Sequence, residues 1–260
     1  MSRIEFHPRL GSTQDRIREL ARAGAPPGTA VRAGMQEAGR GRAGRPWVSE
    51  PDSGLWLSLL LPMDPEAPGG ITLAVGVRLA LLLEARFGRP LRIRWPNDLH
   101  LPDSTGVDEG WTGKLGGILC ESAPGPGPRQ IAVGIGVNVR RPGGGATDPR
   151  LARAAFLEEW AGVPVDVDSL GEAVVEMLAP PEGITPPVLD RPLLEELHAR
   201  DLLRGRWVRT QTGERGLALG IETDGALRIR TDDGREVQVV SGSLLPADGP
   251  PSSTAHEVTR

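Results

Sequence analysis

The chain has 260 residues (27.7 kDa), of which 38% are hydrophobic and 25% charged, and its formal net charge is -4. That size fits one large globular domain with a small appendage, and the acidic excess argues against a general binder of nucleic-acid backbones, which selects strongly basic domains. One cysteine, Cys120, rules out an intrachain disulfide and fits a reducing compartment, so the cytoplasm is the expected location. The N-terminus lacks the apolar stretch of a secretory signal, and the runs 55–63 and 71–83 are too short or too interrupted to cross a bilayer.

Ser12-Thr13-Gln14-Asp15, followed by Ile17, Leu20 and Ala21, predicts a capped amphipathic helix that stops at Gly24. Residues 29–36 alternate toward a strand, 39–45 form a glycine and arginine loop, and 55–61 read as a buried strand ended by Pro62. The apolar stretch 71–87 is a helix closed by Gly88 and Pro90. Residues 91–95 alternate as a short strand leaving through the turn Pro96-Asn97-Asp98. After a polar loop over 102–111, strands are expected over 115–121 and 130–138, joined by a Pro/Gly hairpin.

Helices are then expected over 150–162, with Asp148-Pro149 as cap and first turn, and over 169–178 and 191–203. Past Gly205 the text changes to short strands over 207–212, 216–222, 227–231 and 236–240, with Asp224-Gly225 and Asp233-Gly234 as hairpin turns. The expected class is α+β: a mixed sheet with helices on one face over 1–204, a small barrel-like domain over 205–248, and a disordered tail over 249–260.

Gly39-Arg40-Gly41-Arg42-Ala43-Gly44 spells the dinucleotide pattern G-x-G-x-x-G, but Arg45-Pro46-Trp47 follows where that pattern opens a helix. A flexible loop that gathers guanidiniums around phosphate or carboxylate oxygens suits these residues better. Lys114 is the one lysine among 30 Lys+Arg residues, which suggests a tight site that wants a compact ammonium. It is no Walker lysine, because Asp108 stands at the first glycine position and Leu115 at the Ser/Thr position.

Trp95-Pro96-Asn97-Asp98 places a rigid turn and two polar side chains at a strand end. Gly134 and Gly136 in one strand suggest close approach by another backbone or a flat ligand. Trp47 reads equally as core or as a surface beside an adenine. His7, His100, His198 and His256 are scattered, Cys120 has no partner and reads as buried filler, and neither a metal-ligand spacing nor a Ser/His/Asp set stands out.

Gly11-Ser12-Thr13, 36–47, Leu55-Trp56-Leu57-Ser58, Trp95-Pro96-Asn97-Asp98, 113–119, Glu121 and 134–138 occur in one order that resembles the biotin–protein ligases. Residues 206–246 look like the SH3-like C-terminal β-barrel of that family. The resemblance implies a class II synthetase-like catalytic domain and a two-step reaction. Biotin and ATP, with Mg2+, give biotinyl-5'-AMP and pyrophosphate, and a lysine of the biotin carboxyl carrier protein of acetyl-CoA carboxylase then takes the biotin.

By the same resemblance Lys114, Arg42 and Asp98 are catalytic. Ser12, Thr13, Gln14, Gln36, Gly39, Arg40, Gly41, Arg42, Lys114 and Gly117 bind biotin, and Arg40, Arg42, Arg45, Trp47 and Asn138 bind the nucleotide. Gln14 stands where the family usually has Asn. Ten residues precede Gly11, where some relatives carry a DNA-binding helix-turn-helix, so no operator binding and no membrane partner are expected; homodimerisation is left open. The rival readings are a lipoate or octanoate ligase or transferase of the same fold, a non-catalytic biotin or nucleotide binder, and an RNA binder using 39–45.

Overall fold

The computed structural model describes residues 4–64, 69–102, 113–143 and 148–249. All of the expected tail but Gly249, including His256, and nearly all of the polar loop at 102–111 lie outside the described residues. A seven-stranded sheet holds β1 (Ile4–His7), β2 (Ala30–Ala33), β3 (Gly54–Pro62), β4 (Arg92–Arg94), β5 (Asp98–His100), β6 (Lys114–Ala123) and β7 (Gln130–Asn138), in the order β1-β2-β3-β7-β6-β5-β4. Only the β1–β2 pair is parallel, so the sheet is mixed.

Period-two alternation along β3 and β7 gives the sheet two different faces. Leu55, Leu57, Leu59 and Leu61 of β3, with Val133, Ile135 and Val137 of β7, point into the main core beneath α2 (Ile71–Phe87) and α4 (Val167–Leu178). The intervening positions face the other way. Leu60 and Ala132 join Ile17 and Ala21 of α1 (Thr13–Arg22) in a small second cluster. Helices on one face only was therefore the wrong expectation: α1 lies alone on the second face. There Ser58, Gly134 and Gly136 supply little bulk, and a hollow remains beside α1.

Several local expectations change. β1 and β5 are strands that the pattern missed, and Trp95-Pro96-Asn97 turns β4 into β5 through a cis Trp95–Pro96 peptide. The expected helix over 150–162 is instead a 3-10 turn at Pro149–Leu151, an extended piece, and α3 (Leu157–Ala161). Asp148 caps that 3-10 turn as expected. The backbone of Arg153 and Ala155 bonds to the start of β6, with Gly113 N to Arg153 O at 3.1 Å and Ala155 N to Lys114 O at 2.9 Å. Tertiary pairing there overrides helix propensity. α5 (Arg191–Arg200) ends three residues earlier than expected.

The C-terminal unit is a five-stranded antiparallel sheet of β8 (Trp207–Thr210), β9 (Arg215–Ile221), β10 (Leu227–Thr231), β11 (Glu236–Val239) and β12 (Leu244–Pro246), ordered β11-β10-β9-β8-β12. Its two Asp-Gly turns form as expected, with Gly225 and Gly234 both at φ 82°. β12, the missed fifth strand, pairs with β8. The unit is anchored on β4 and its turn, where Trp95 Nε1 donates to Gly225 O at 2.8 Å.

Candidate active site

On the α1 face the central strands run short of side chains. Gly117 of β6 sits opposite Gly136 of β7, and Leu119 opposite Gly134. A Cβ on Gly136 would stand 2.8 Å from Trp47 Cε2, and one on Gly134 would stand 2.9 Å from Gln14 Oε1. These glycines let an indole and an amide lie directly on the sheet. The cavity they floor has a volume of about 200 Å³.

The N-terminal turn of α1 forms one buried wall. Ser12 occupies the N-cap position, yet its hydroxyl caps nothing, although an N-cap serine ordinarily accepts from the N2 or N3 amide. Its Oγ is buried without a protein partner, in a residue 3% exposed that lines the cavity. Thr13 N and Oγ1 donate to Gln36 Oε1 at 2.9 and 3.0 Å, and Gln36 Nε2 donates to Ser49 Oγ at 3.0 Å.

Gln14 faces the cavity but is consumed by the protein. Its Nε2 donates to Ala132 O at 2.9 Å, and its Oε1 accepts from Ser58 Oγ at 2.9 Å. Gln14 thus braces the cavity wall that it lines, and Ser58, absent from the expected set, bonds both Gln14 and Thr13.

The arginine loop is a tight hydrogen-bonded hairpin. Gly41 N donates to Arg45 O at 2.7 Å and Trp47 N to Gly39 O at 2.8 Å. A 3-10 turn at Arg42–Gly44 closes it, with Ala43 at φ 54° and Gly44 at φ 69°. Gly39 does not line the cavity. Its lack of a side chain is needed for the hairpin itself, since a Cβ would lie 2.6 Å from Trp47 O.

The three arginines of the hairpin differ in what they meet. Arg40 is answered by carboxylates, with Nη1 2.6 Å from Asp15 Oδ2 and Nη2 3.5 Å from Glu121 Oε2; the Asp15 bond pushes its pKa further up. Among the described residues Arg42 donates to neutral acceptors, Asn97 Oδ1 at 3.2 Å and Gly242 O at 3.3 Å. Burial lowers its pKa, against the pull of Asp98 and together with the push of Arg45. Arg45 donates to Ser243 Oγ at 2.9 Å.

Lys114 opens β6, directly across from the hairpin. Its Nζ lies 2.7 Å from Asp98 Oδ1 and 5.0 Å from the centre of the Trp47 ring. Trp47 packs edge-on against Trp56 at 6.3 Å, and its buried Nε1 has no protein partner. Beyond Trp47 and Lys114 a second cavity of about 240 Å³ opens, and Asn138, which does not reach the first cavity, lines this one. Arg94, Arg150 and Arg153 line it too and have no counterpart in the expected set; Asn138 Nδ2 donates to Lys114 O at 3.3 Å.

Ser12, Thr13, Gln14, Gln36, Arg40, Gly41, Arg42, Arg45, Trp47, Asp98, Lys114 and Gly117 therefore come together around one cavity. Among the described residues no group of three or more His, Cys, Asp and Glu is arranged to hold a metal ion. Cys120 packs against the main core but is only partly buried, not the fully buried filler expected, and desolvation pushes its thiol up to about 12. No described helix is long and apolar enough to cross a membrane.

The chain matches the family model described as the Biotin/lipoate A/B protein ligase family over residues 6–138. It is 32% identical over 239 residues to the bifunctional ligase/repressor BirA of Bacillus subtilis (strain 168), an alignment covering 88% of this chain and 70% of that one. It is 33% identical over 219 residues to the biotin–[acetyl-CoA-carboxylase] ligase of Paracoccus denitrificans, covering 80% and 86%. Its fold matches the biotin protein ligase from Aquifex aeolicus in complex with biotin and ATP, with a TM-score of 0.73 at 24% identity over 95% of this chain and 100% of that chain.

Proposed function

This chain belongs to the biotin/lipoate A/B protein ligase family, and from that premise we propose that it condenses biotin with ATP and passes the biotinyl group to a lysine of a biotin carboxyl carrier protein. The observation that carries this reading is the division of one cavity by chemistry. Its buried end offers uncharged hydrogen-bonding groups, Ser12, Thr13 and Gln36, whereas its more open side offers Arg42, Arg45 and Lys114.

A fused urea ring suits the first end, because its carbonyl and N–H groups need partners once buried, at a cost of about 1–3 kcal/mol for each left unmet. Ser12 Oγ, which bonds nothing in the protein, is available to such a ring. A dithiolane ring, as in lipoate, would leave the Ser12 hydroxyl unpaired, because Thr13 and Gln36 already bond within the protein, and this disfavours the lipoate reading.

At the cationic side two anions must meet. The carboxylate oxygen of biotin attacks the α-phosphorus of ATP, the bond to the bridging oxygen breaks, and pyrophosphate leaves with that electron pair. Arg42, Arg45 and Lys114 offset the repulsion between carboxylate and triphosphate and stabilise the charge that builds on the phosphoryl oxygens. Trp47 and Asn138, on the shared wall and in the second cavity, would take the adenine.

In the second step a carrier lysine, as free amine, attacks the acyl carbonyl, and AMP leaves. Asp98, 2.7 Å from Lys114, orients the Lys114 ammonium and is placed to accept the proton released by the attacking amine. Mg2+ accompanying ATP would supply further positive charge at the phosphates. A closed arginine hairpin over the adenylate would shield it from water.

The test is ATP–pyrophosphate exchange with biotin or lipoate as the acid, followed by transfer of labelled biotin to a purified carrier domain. Biotin-dependent exchange and labelling are expected; exchange with lipoate alone would overturn the substrate assignment.

A further inference from the structure

Three arginines that line the two cavities end on three successive residues of the C-terminal unit. Arg42 Nη1 donates to the carbonyl of Gly242 at 3.3 Å, Arg45 Nη2 to Ser243 Oγ at 2.9 Å, and Arg94 Nη2 to the carbonyl of Leu244 at 2.9 Å. The partners are separated by 200, 198 and 150 residues, so the convergence is produced by the tertiary fold and by no local motif.

The acceptors are all neutral. A carboxylate holding a guanidinium also cancels its field, as Asp15 and Glu121 do for Arg40. A carbonyl or hydroxyl instead fixes the group's direction and adds no opposing charge of its own.

We propose that Gly242-Ser243-Leu244 is a positioning strap, which never touches substrate but sets where Arg42, Arg45 and Arg94 present their charge to the phosphates of the nucleotide. The proposal rests on the ATP-dependent reading above. Each residue of the strap fits that role. Gly242 has φ 119°, a conformation that side chains disfavour, although only Gln211 Oε1, at 3.9 Å, stands near a Cβ built there.

Ser243 supplies the one side-chain acceptor. Leu244 is 1% exposed and pairs with Thr210, so it pins the strap to β8. The Trp95–Gly225 bond clamps the same unit on the turn that carries Asp98. Binding of the uncharged end of the acid is not expected to depend on the strap, since Ser12, Thr13 and Gln36 bond only within the first 60 residues of the chain.

The experiment compares wild type with Ser243→Ala, Ser243→Thr and Gly242→Ala. It measures the calorimetric Kd for ATP alone, the KM for ATP and for biotin in pyrophosphate exchange, and the thermal midpoint. Loss of one hydrogen bond from Arg45 should raise the Kd and KM for ATP by about tenfold in Ser243→Ala, and leave the biotin KM within about twofold.

Ser243→Thr should restore ATP affinity, and Gly242→Ala should weaken it at least as much as Ser243→Ala; the two Ser243 variants should melt with wild type, and Gly242→Ala, strained at φ 119°, somewhat below it without loss of biotin affinity. Unchanged ATP affinity in both alanine variants would overturn the strap, as would a parallel loss of biotin and ATP affinity accompanied by a lowered midpoint. Wild-type protein that binds ATP but exchanges no pyrophosphate with biotin would overturn the ligase reading instead, and the ATP affinities of the variants would still decide the strap.

Discussion

Replacing Lys114 by methionine separates the chemistry of its ammonium from its packing. Methionine keeps an unbranched chain of similar length against the Trp47 ring and removes only the charge. Lys114 Nζ lies 2.7 Å from Asp98 Oδ1, with side-chain exposures of 34% and 16%. A pair this accessible is worth only about 0–1 kcal/mol in stability, so Lys114→Met should unfold within a few degrees of wild type.

The catalytic loss should be far larger. A unit charge about 4 Å from a developing oxyanion, at an effective dielectric of about 20, contributes roughly 4 kcal/mol, or about a thousandfold in rate. The Asp98 carboxylate opposes part of that field, so a loss of about 100- to 1,000-fold in single-turnover biotinyl-AMP formation is expected, similar to deletion of an oxyanion-hole donor. The double variant Lys114→Met/Asp98→Asn separates the causes, because it removes the unpaired carboxylate without restoring the cation. Adenylation within about tenfold of wild type in Lys114→Met, or its recovery in the double variant, would refute the reasoning.

The paired variants Ser12→Ala and Ser58→Ala should part company. Ser12 Oγ bonds nothing in the protein, so its loss should leave the thermal midpoint in place and weaken calorimetric biotin binding about tenfold, whereas Ser58→Ala strands Gln14 Oε1 and should cost about 1–3 kcal/mol in urea unfolding. Gly136→Ala would place a methyl 2.8 Å from Trp47 Cε2. The displaced ring should weaken ATP binding by about 10- to 100-fold, with biotin much less affected, as read by tryptophan fluorescence titration. Asp201, 9% exposed, is raised above its ordinary value of 3.8 by burial, against the bonds from Leu203 and Arg204 and the charges of His198 and Arg204. The folded state therefore holds that proton longer than the unfolded chain. Its contribution is fully present below the unfolded pKa and is lost as pH rises through the folded one, so Asp201→Asn should flatten that fall in urea midpoints taken from mildly acidic to neutral pH.

What the sequence disclosed about the fold follows the strength of local pattern. β3 and α2 are nine and seventeen residues long and dominated by apolar side chains, broken in α2 only by Thr72, Arg78, Glu84 and Arg86, and both form at the expected places. β1, with four residues, and β5 and β12, with three each, are too short to show a period and exist because neighbouring strands offer partners. Residues 150–162 fail for the converse reason: their composition suits a helix, but β6 captures the backbone of Arg153 and Ala155. The two-faced burial of β3 was also hidden, because leucines occupy both faces and only Ser58 and Trp56 interrupt them.

The site was legible as a set of residues but not as a division of labour among them. Glycine and arginine in 39–45 announce an anion-binding loop, yet spacing alone ranks Arg40, Arg42 and Arg45 alike. What separates them are partners far along the chain: Asp15 and Glu121 tie up Arg40, while Asn97, Gly242 and Ser243 hold Arg42 and Arg45 without opposing their charge. A phosphate approaching the hairpin would have to compete with two carboxylates for Arg40 but only with neutral oxygens for the other two. Because a carboxylate opposes an incoming anion directly and an amide or hydroxyl oxygen does not, Arg40 and Lys114, each held by a carboxylate, present less net charge than Arg42 and Arg45, and on the proposed reading those two would carry most of the attraction for the nucleotide.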